Sequence, residues 1–152
     1  MSSVATTPDN AAAVPTDLVT VLFLCYNNAG RSLIAETLFN ARAAERKIDA
    51  HAESAGLLGV GAVHPMVLRC LEELGVSVDG VKPKQVTPEM VARAEVIVGF
   101  GGMNSDHSAI KFTVTEHWTT ANPSGESYGS VCAVRDEISR NVDHLLDRLS
   151  AQ

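Results

Sequence analysis

The sequence is short of cysteine and of positive charge, and it has no long apolar run. Its three cysteines, Cys25, Cys70 and Cys132, include no C-x-x-C pair, and its five histidines show no zinc-ligand spacing. A secreted disulfide framework is therefore not expected, and no metal is assigned. No basic residue precedes Arg31, so the N-terminus lacks the charged region of a signal peptide. No apolar stretch approaches the roughly 20 residues needed to cross a bilayer. Basic residues number 12 against 18 acidic, a formal net charge of -6, which argues against broad nucleic-acid or anionic-membrane binding. Together these absences predict a cytoplasmic protein with reduced thiols. What is present is ordinary: 152 residues, 45% hydrophobic and 20% charged, enough for one domain with a substantial core.

Residues 1–17 are rich in Ser, Thr, Ala and Pro without periodicity, and read as a flexible N-terminal leader to a domain spanning 18–152. Leu18 to Leu24 is a continuous apolar and β-branched run, as expected for a strand buried on both faces. Ser32 to Lys47 reads as a helix with Ile34, Leu38, Ala41 and Ile48 on one face and Arg42, Glu45 and Arg46 on another. His51 to Ser54 is a second strand. Gly59-x-Gly61 lacks the third glycine of a dinucleotide fingerprint, so that reading is rejected. Pro65 opens a second helix with Val67, Leu71 and Leu74 on its core face, and Gly75 stops it. Cys70 lies in this helix and reads as structural. Thr87-Pro88 reads as an N-cap and first-turn proline. Val96 to Phe100 is a third buried strand and Phe112 to Glu116 a weaker, alternating fourth. After a loop from Thr119 to Ser130, Val131, Val134, Ile138, Val142, Leu145 and Leu149 mark an amphipathic helix. The alternation predicts an α/β three-layer sandwich, a four-stranded parallel sheet flanked by helices. Alanine-rich helix faces permit a monomer or a homodimer. No internal repeat is visible.

The stretch from Val21 to Ser32 carries the chemistry. An apolar strand ends in Cys25, a short loop of small and polar residues follows, and Arg31 and Ser32 open a helix. Such a loop can turn its backbone N–H groups around a tetrahedral oxyanion. The helix N-terminus adds partial positive charge, and a guanidinium grips two anion oxygens at once. The same field favours a thiolate at Cys25. The simpler reading of a strand-end cysteine, a small apolar residue, loses weight because Arg31 and Ser32 follow at this spacing. The Gly-Lys pair of a nucleotide-binding P-loop is missing.

Cys25 to Ser32 resembles the Cys-x5-Arg-Ser loop of the low-molecular-weight protein tyrosine phosphatases. It is similar still more to the arsenate reductases that share their fold. The reductase branch is matched by Asn27-Asn28-Ala29-Gly30-Arg31-Ser32, Glu53-Ser54-Ala55-Gly56, Glu116-His117-Trp118 and Arg135-Asp136-Glu137-Ile138. The likeness runs from Val19 to Leu149. It implies that Cys25 attacks the central atom of arsenate or a phosphate-like oxyanion. Tyr26, Asn27, Asn28, Ala29, Gly30, Arg31 and Ser32 would bind the oxyanion. Ser32 would hold the Cys25 sulfur ionised, and Asn28 would fix the loop shape. In some of these reductases a potassium ion sits beside the loop, where Asn28, Glu36 and Ser54 stand here. Lys84 falls at the further, acidic position. An ammonium there would replace the ion electrostatically; the alternative is a surface lysine in a Lys-Pro-Lys turn.

Two departures from the family pattern bear on activity. Its late-loop Asp-Pro supplies the general acid, and here the pair is Asn122-Pro123. An amide cannot deliver a proton, and general-acid catalysis is worth about 10²- to 10⁴-fold. Glu116, His117 and Asp106 are substitute donors to consider. Secondly, thioredoxin-coupled members carry two further cysteines after the third strand, where this chain has Gly101 to His107 and none. Cys132 could approach Cys25 only if the late loop folds over the site. The expected reductant is an external thiol, mycothiol or glutathione, with a redoxin finishing the reduction. The leading expectation is arsenate reduction. The alternatives are a tyrosine phosphatase, or a non-catalytic oxyanion-binding module that lost its acid.

Overall fold

In a computed structural model, residues 18–28, 30–58, 61–106, 108–120 and 127–151 are described. The proposed leader, Ala29 and Asn122 lie outside them. The order of elements is β1 (Val19–Cys25), α1 (Arg31–Arg46), β2 (Ala50–Gly56), α2 (Pro65–Glu72), α3 (Pro88–Arg93), β3 (Val96–Phe100), β4 (Glu116–Trp118) and α4 (Tyr128–Ser150). The four strands form one parallel sheet in the order β2-β1-β3-β4. The chain passes from β1 to one side for β2 and to the other for β3. The carboxyl ends of β1 and β3 therefore flank the switch point where ligands bind in open parallel sheets.

The continuous apolar run of β1 is needed because both faces of the sheet are covered. Val21, Phe23 and Cys25 face a large cluster built with α1, α2 and α4, including Leu38, Leu71, Ile138 and Leu145. Leu22 and Leu24 face a smaller cluster with Val86, Ile97 and Phe112, flanked by Met90 and Val91 of α3. These are the three layers that the alternation of elements predicts. Helix α1 is buried on more than its Ile34–Leu38 stripe: Leu33, Ala35, Phe39 and Ala43 are buried too, and Ala41 only in part. It has two partners, the sheet and α4. Against α4, Arg42 pairs with Asp143 and Arg46 with Asp147.

The expected Thr87 cap forms, and α4 begins inside the expected loop, at Tyr128, with Ser127 as its cap. The Thr87 hydroxyl accepts from Met90 N–H ahead of Pro88, and the Ser127 hydroxyl accepts from Ser130 N–H at the start of α4. Two further expectations are corrected. Leu74 is not on the core face of α2 but 42% exposed. The helix ends at Glu72, and the tighter turn Leu74 N–H to Leu71 O, closed by Gly75 at φ 76, rotates Leu74 outward. The fourth strand is not Phe112–Glu116 but Glu116–Trp118, paired with Val98–Phe100. The alternation in 112–116 marks which side chains turn inward, with Phe112 buried, but ladder pairing begins only at Glu116.

Candidate active site

Parallel pairing of β1 with β2 brings Cys25 opposite Gly56 at the carboxyl end of the sheet. Gly56 is there because a side chain will not fit. A Cβ on it would stand 2.7 Å from Asn27 C and Tyr26 O and 2.8 Å from Asn28 N. The turn after Cys25 is thus pressed directly on the end of β2. It is tied there by Leu57 N–H to Cys25 O and Leu58 N–H to Tyr26 O.

Asn28 is the organiser of this turn. It is fully buried and holds φ 55, a left-handed conformation that asparagine tolerates better than most residues. Its backbone N–H donates to Cys25 Sγ at 3.2 Å. Its Oδ1 accepts from Lys84 N–H at 2.8 Å, which orients the amide so that Nδ2 donates to Ser32 Oγ at 2.7 Å. Ser32 Oγ lies 2.8 Å from Cys25 Sγ. With one lone pair taken by Asn28, the serine hydrogen is free to point at the sulfur. The relay runs from Lys84 through Asn28 and Ser32 to Cys25, entirely through buried or half-buried groups. Cys25 is itself only 5% exposed. Gly30 is the N-cap residue of α1, and its carbonyl accepts from Ile34 N–H. Tyr26 and Asn27 are exposed.

Arg31 begins α1 and crosses the end of the sheet. Its Nη1 donates to the Thr120 carbonyl at 2.9 Å, and its guanidinium carbon lies 5.8 Å from the centre of the Phe100 ring. Phe100 in turn stacks edge-on to Trp118. Arg31 thereby links the Cys25 loop to the segment that leads to Asn122.

The expected support residues come together behind the loop. Ser54 Oγ donates to Glu36 Oε1, and Lys84 Nζ donates to the same oxygen at 3.2 Å. Lys84 is therefore not a free surface lysine. Glu36 Oε1 accepts from both Lys84 and Ser54, and Asn28 Oδ1 accepts from Lys84 N–H, so the Lys84 ammonium pairs directly with the Glu36 carboxylate. Lys84 O also accepts from Gly56 N–H, fastening this segment to β2.

The other candidate donors are paired or exposed. Glu116 accepts from Trp118 Nε1 and pairs with Arg148, while His117 and Asp106 are exposed. Cys132 packs at the contact of α4 with α2, where its sulfur lies 3.9 Å from Glu73 Oε1. Arg135 donates there to Cys70 O and Glu73. Burial pushes the Cys70 thiol up from 9.0 to about 11, against the opposing charge of Arg135, so it is a structural thiol. Sequence reasoning missed Thr120 and Gly56 as site residues. Gly56 carried a signal, a glycine closing a strand next to the loop; Thr120 carried none. Among the described residues no helix is long and apolar enough to cross a membrane, and no cluster of metal-ligating side chains occurs.

A parallel sheet with a cysteine at its switch point, held by a serine hydroxyl and an asparagine N–H, is the frame of the thiol-dependent phosphatase-like folds. Residues 20–152 match the family low molecular weight phosphotyrosine protein phosphatase, and the chain belongs to that family. Within it, the chain is similar to a solved arsenate reductase from Archaeoglobus fulgidus. The two are 31% identical with a TM-score of 0.68, over 84% of this chain and 98% of that one. It is 25% identical to the arsenate reductase of Staphylococcus aureus, over 85% of this chain and 97% of the relative. It is 24% identical to the glutaredoxin arsenate reductase of Synechocystis, over 86% of this chain and 98% of that relative. The low molecular weight protein tyrosine phosphatase from T. tengcongensis shares the fold, with a TM-score of 0.74 at 22% identity over 86% of this chain and 99% of that one.

Proposed function

We propose that the protein reduces arsenate to arsenite, with Cys25 as nucleophile and an external thiol as reductant. The observation that carries this reading is the hydrogen-bonded Cys25 sulfur, 2.8 Å from Ser32 Oγ and 3.2 Å from Asn28 N. Two donors aimed at one sulfur suit it to carry negative charge. The Cys25 thiolate attacks arsenic, and an oxygen leaves as water after protonation. Tyr26 to Ser32, Ala29 and Arg31 included, hold the remaining oxygens. Glu36, Ser54 and Lys84 support the loop, and the Lys84 ammonium supplies positive charge without a bound ion.

An external thiolate then attacks the Cys25 sulfur. The sulfur–arsenic bond breaks and its electron pair stays on arsenic, releasing arsenite. The resulting mixed disulfide is reduced by a second thiol, from a redoxin. The external thiol is favoured because the other two cysteines are committed elsewhere. Cys70 is fully buried, and Cys132 faces Glu73. The relatives named for arsenate reduction support the substrate, and the Synechocystis relative's name supports a redoxin partner.

The test is arsenate-dependent oxidation of mycothiol, glutathione or reduced thioredoxin by the wild type and by Cys25→Ser. Turnover in the wild type and none in Cys25→Ser is expected. No turnover with any of the three thiols would overturn the reading. Asn122→Asp serves as the second arm. Restoring a proton donor should raise aryl phosphate hydrolysis by about 10²-fold or more. High aryl phosphatase activity in the unaltered protein would favour the phosphatase instead.

A further inference from the structure

We propose that Thr120 is an anion-contacting residue, its hydroxyl donating to the oxyanion held by Arg31. The inference rests on the oxyanion-site reading above. Thr120 is 6% exposed, and its Oγ1 is buried with no hydrogen-bond partner among the described residues. A buried hydroxyl without a partner destabilises a fold, whereas a valine of the same shape does not. No described residue makes use of this hydroxyl.

Its position suggests what does. The carbonyl of the same residue accepts from Arg31 Nη1 at 2.9 Å. Thr120 follows β4 by two residues, and β4 is the neighbour of β3, whose last residue, Phe100, lies beneath the Arg31 guanidinium. Gly101 adjoins the same guanidinium: a Cβ on it would be in ordinary van der Waals contact with Arg31 Nη2, at 3.4 Å. A guanidinium has five N–H donors, and one is spent on Thr120 O. An oxyanion bound through the remaining N–H groups would lie close to Thr120. A turn about χ1 between staggered positions carries the hydroxyl to an anion oxygen without moving the backbone. Binding would thus satisfy a group that has no hydrogen-bond partner among the described residues. The hydroxyl donates a hydrogen bond only; no proton is transferred and no bond is made or broken.

The experiment measures alkylation of Cys25 in the full chain, followed by mass spectrometry of its peptide, as inorganic phosphate is raised. Wild type, Thr120→Val and Thr120→Ser are compared, with a thermal melt of each in the absence of phosphate. A hydrogen bond to a charged group implies at least about a 10-fold weaker apparent phosphate affinity in Thr120→Val. Thr120→Ser should stay within about threefold of wild type by the same reasoning. Thr120→Val should melt no lower than wild type, because it removes an unpartnered polar atom. Equal phosphate protection in wild type and Thr120→Val would overturn the proposal. So would a failure of Thr120→Ser to rescue, or a clearly lower melt for Thr120→Val, which would mean the hydroxyl is already bonded. If phosphate fails to protect even the wild type, the oxyanion-site reading falls as well, which separates the two failures.

Discussion

Replacing Gly56 by alanine tests how the Cys25 loop is held. The added Cβ meets Asn27 C and Tyr26 O at 2.7 Å and Asn28 N at 2.8 Å. All three are main-chain atoms, so no rotamer change relieves the contact. Gly56 cannot retreat easily either. It pairs with Cys25 at the end of a seven-residue ladder, and its N–H and C=O are bonded to Lys84 O and Val86 N–H. The loop must therefore give way. Overpacking of this kind costs about 1–3 kcal/mol. At about 2–4 °C per kcal/mol for a chain of this size, the melting temperature should fall by about 2–12 °C. The larger effect should be local. A shift of about 0.7 Å, enough to restore van der Waals separation, falls on Asn28 N, which donates to Cys25 Sγ at 3.2 Å. That hydrogen bond would be stretched and weakened. Phosphate protection of Cys25 against alkylation should weaken by about 10-fold. The control is Gly129→Ala in α4, where the nearest atom to a new Cβ is Ser127 Oγ at 3.9 Å. There the same change should stabilise by up to about 1 kcal/mol. A Gly56→Ala protein that melts within about 1 °C of wild type and protects Cys25 equally would refute the account of the loop.

Two further outcomes are expected. Lys84→Met removes the ammonium from Glu36 but keeps the Lys84 backbone bonds to Asn28 and Gly56. Stability should fall by about 1 kcal/mol, as for a half-buried ion pair. Phosphate protection of Cys25 should stay within about threefold. A complete loss of protection would show that the ammonium, not the backbone, orders the loop. Cys70 predicts an alkaline dependence of stability. Burial raises its thiol from 9.0 to about 11 in the folded state, so the native chain holds that proton more tightly than the unfolded one. The contribution is complete below pH 9 and is lost as pH rises through 11, at most about 3 kcal/mol. Urea midpoints from pH 8 to 11 should fall more steeply for wild type than for Cys70→Val; parallel curves would contradict this.

Much of the fold was legible because the signals are local. The apolar run of β1 and the three- and four-residue spacing in α4 each state which faces are buried. Ser127 escaped notice as the start of α4 because several serines compete in that loop. Leu74 was misplaced because periodicity carries no information on where a helix tightens and stops. The fourth strand was misplaced because alternation reports side-chain facing, whereas a strand is defined by a neighbour far along the chain. At the site, Cys25, Asn28 and Ser32 were legible as a motif. From sequence Lys84 admits two readings, since its place beside Glu36 depends on a contact 48 residues away.

The amino-acid order alone determined the strand-loop-helix that places Cys25, Arg31 and Ser32 within eight residues, because that geometry is made by neighbours in the chain. Folding decided the rest: the glycine behind the loop, the lysine that orients Asn28, and the threonine that meets Arg31. Those groups belong to β2, to the segment before α3 and to the segment after β4. Only the pairing of parallel strands brings their carboxyl ends to one edge.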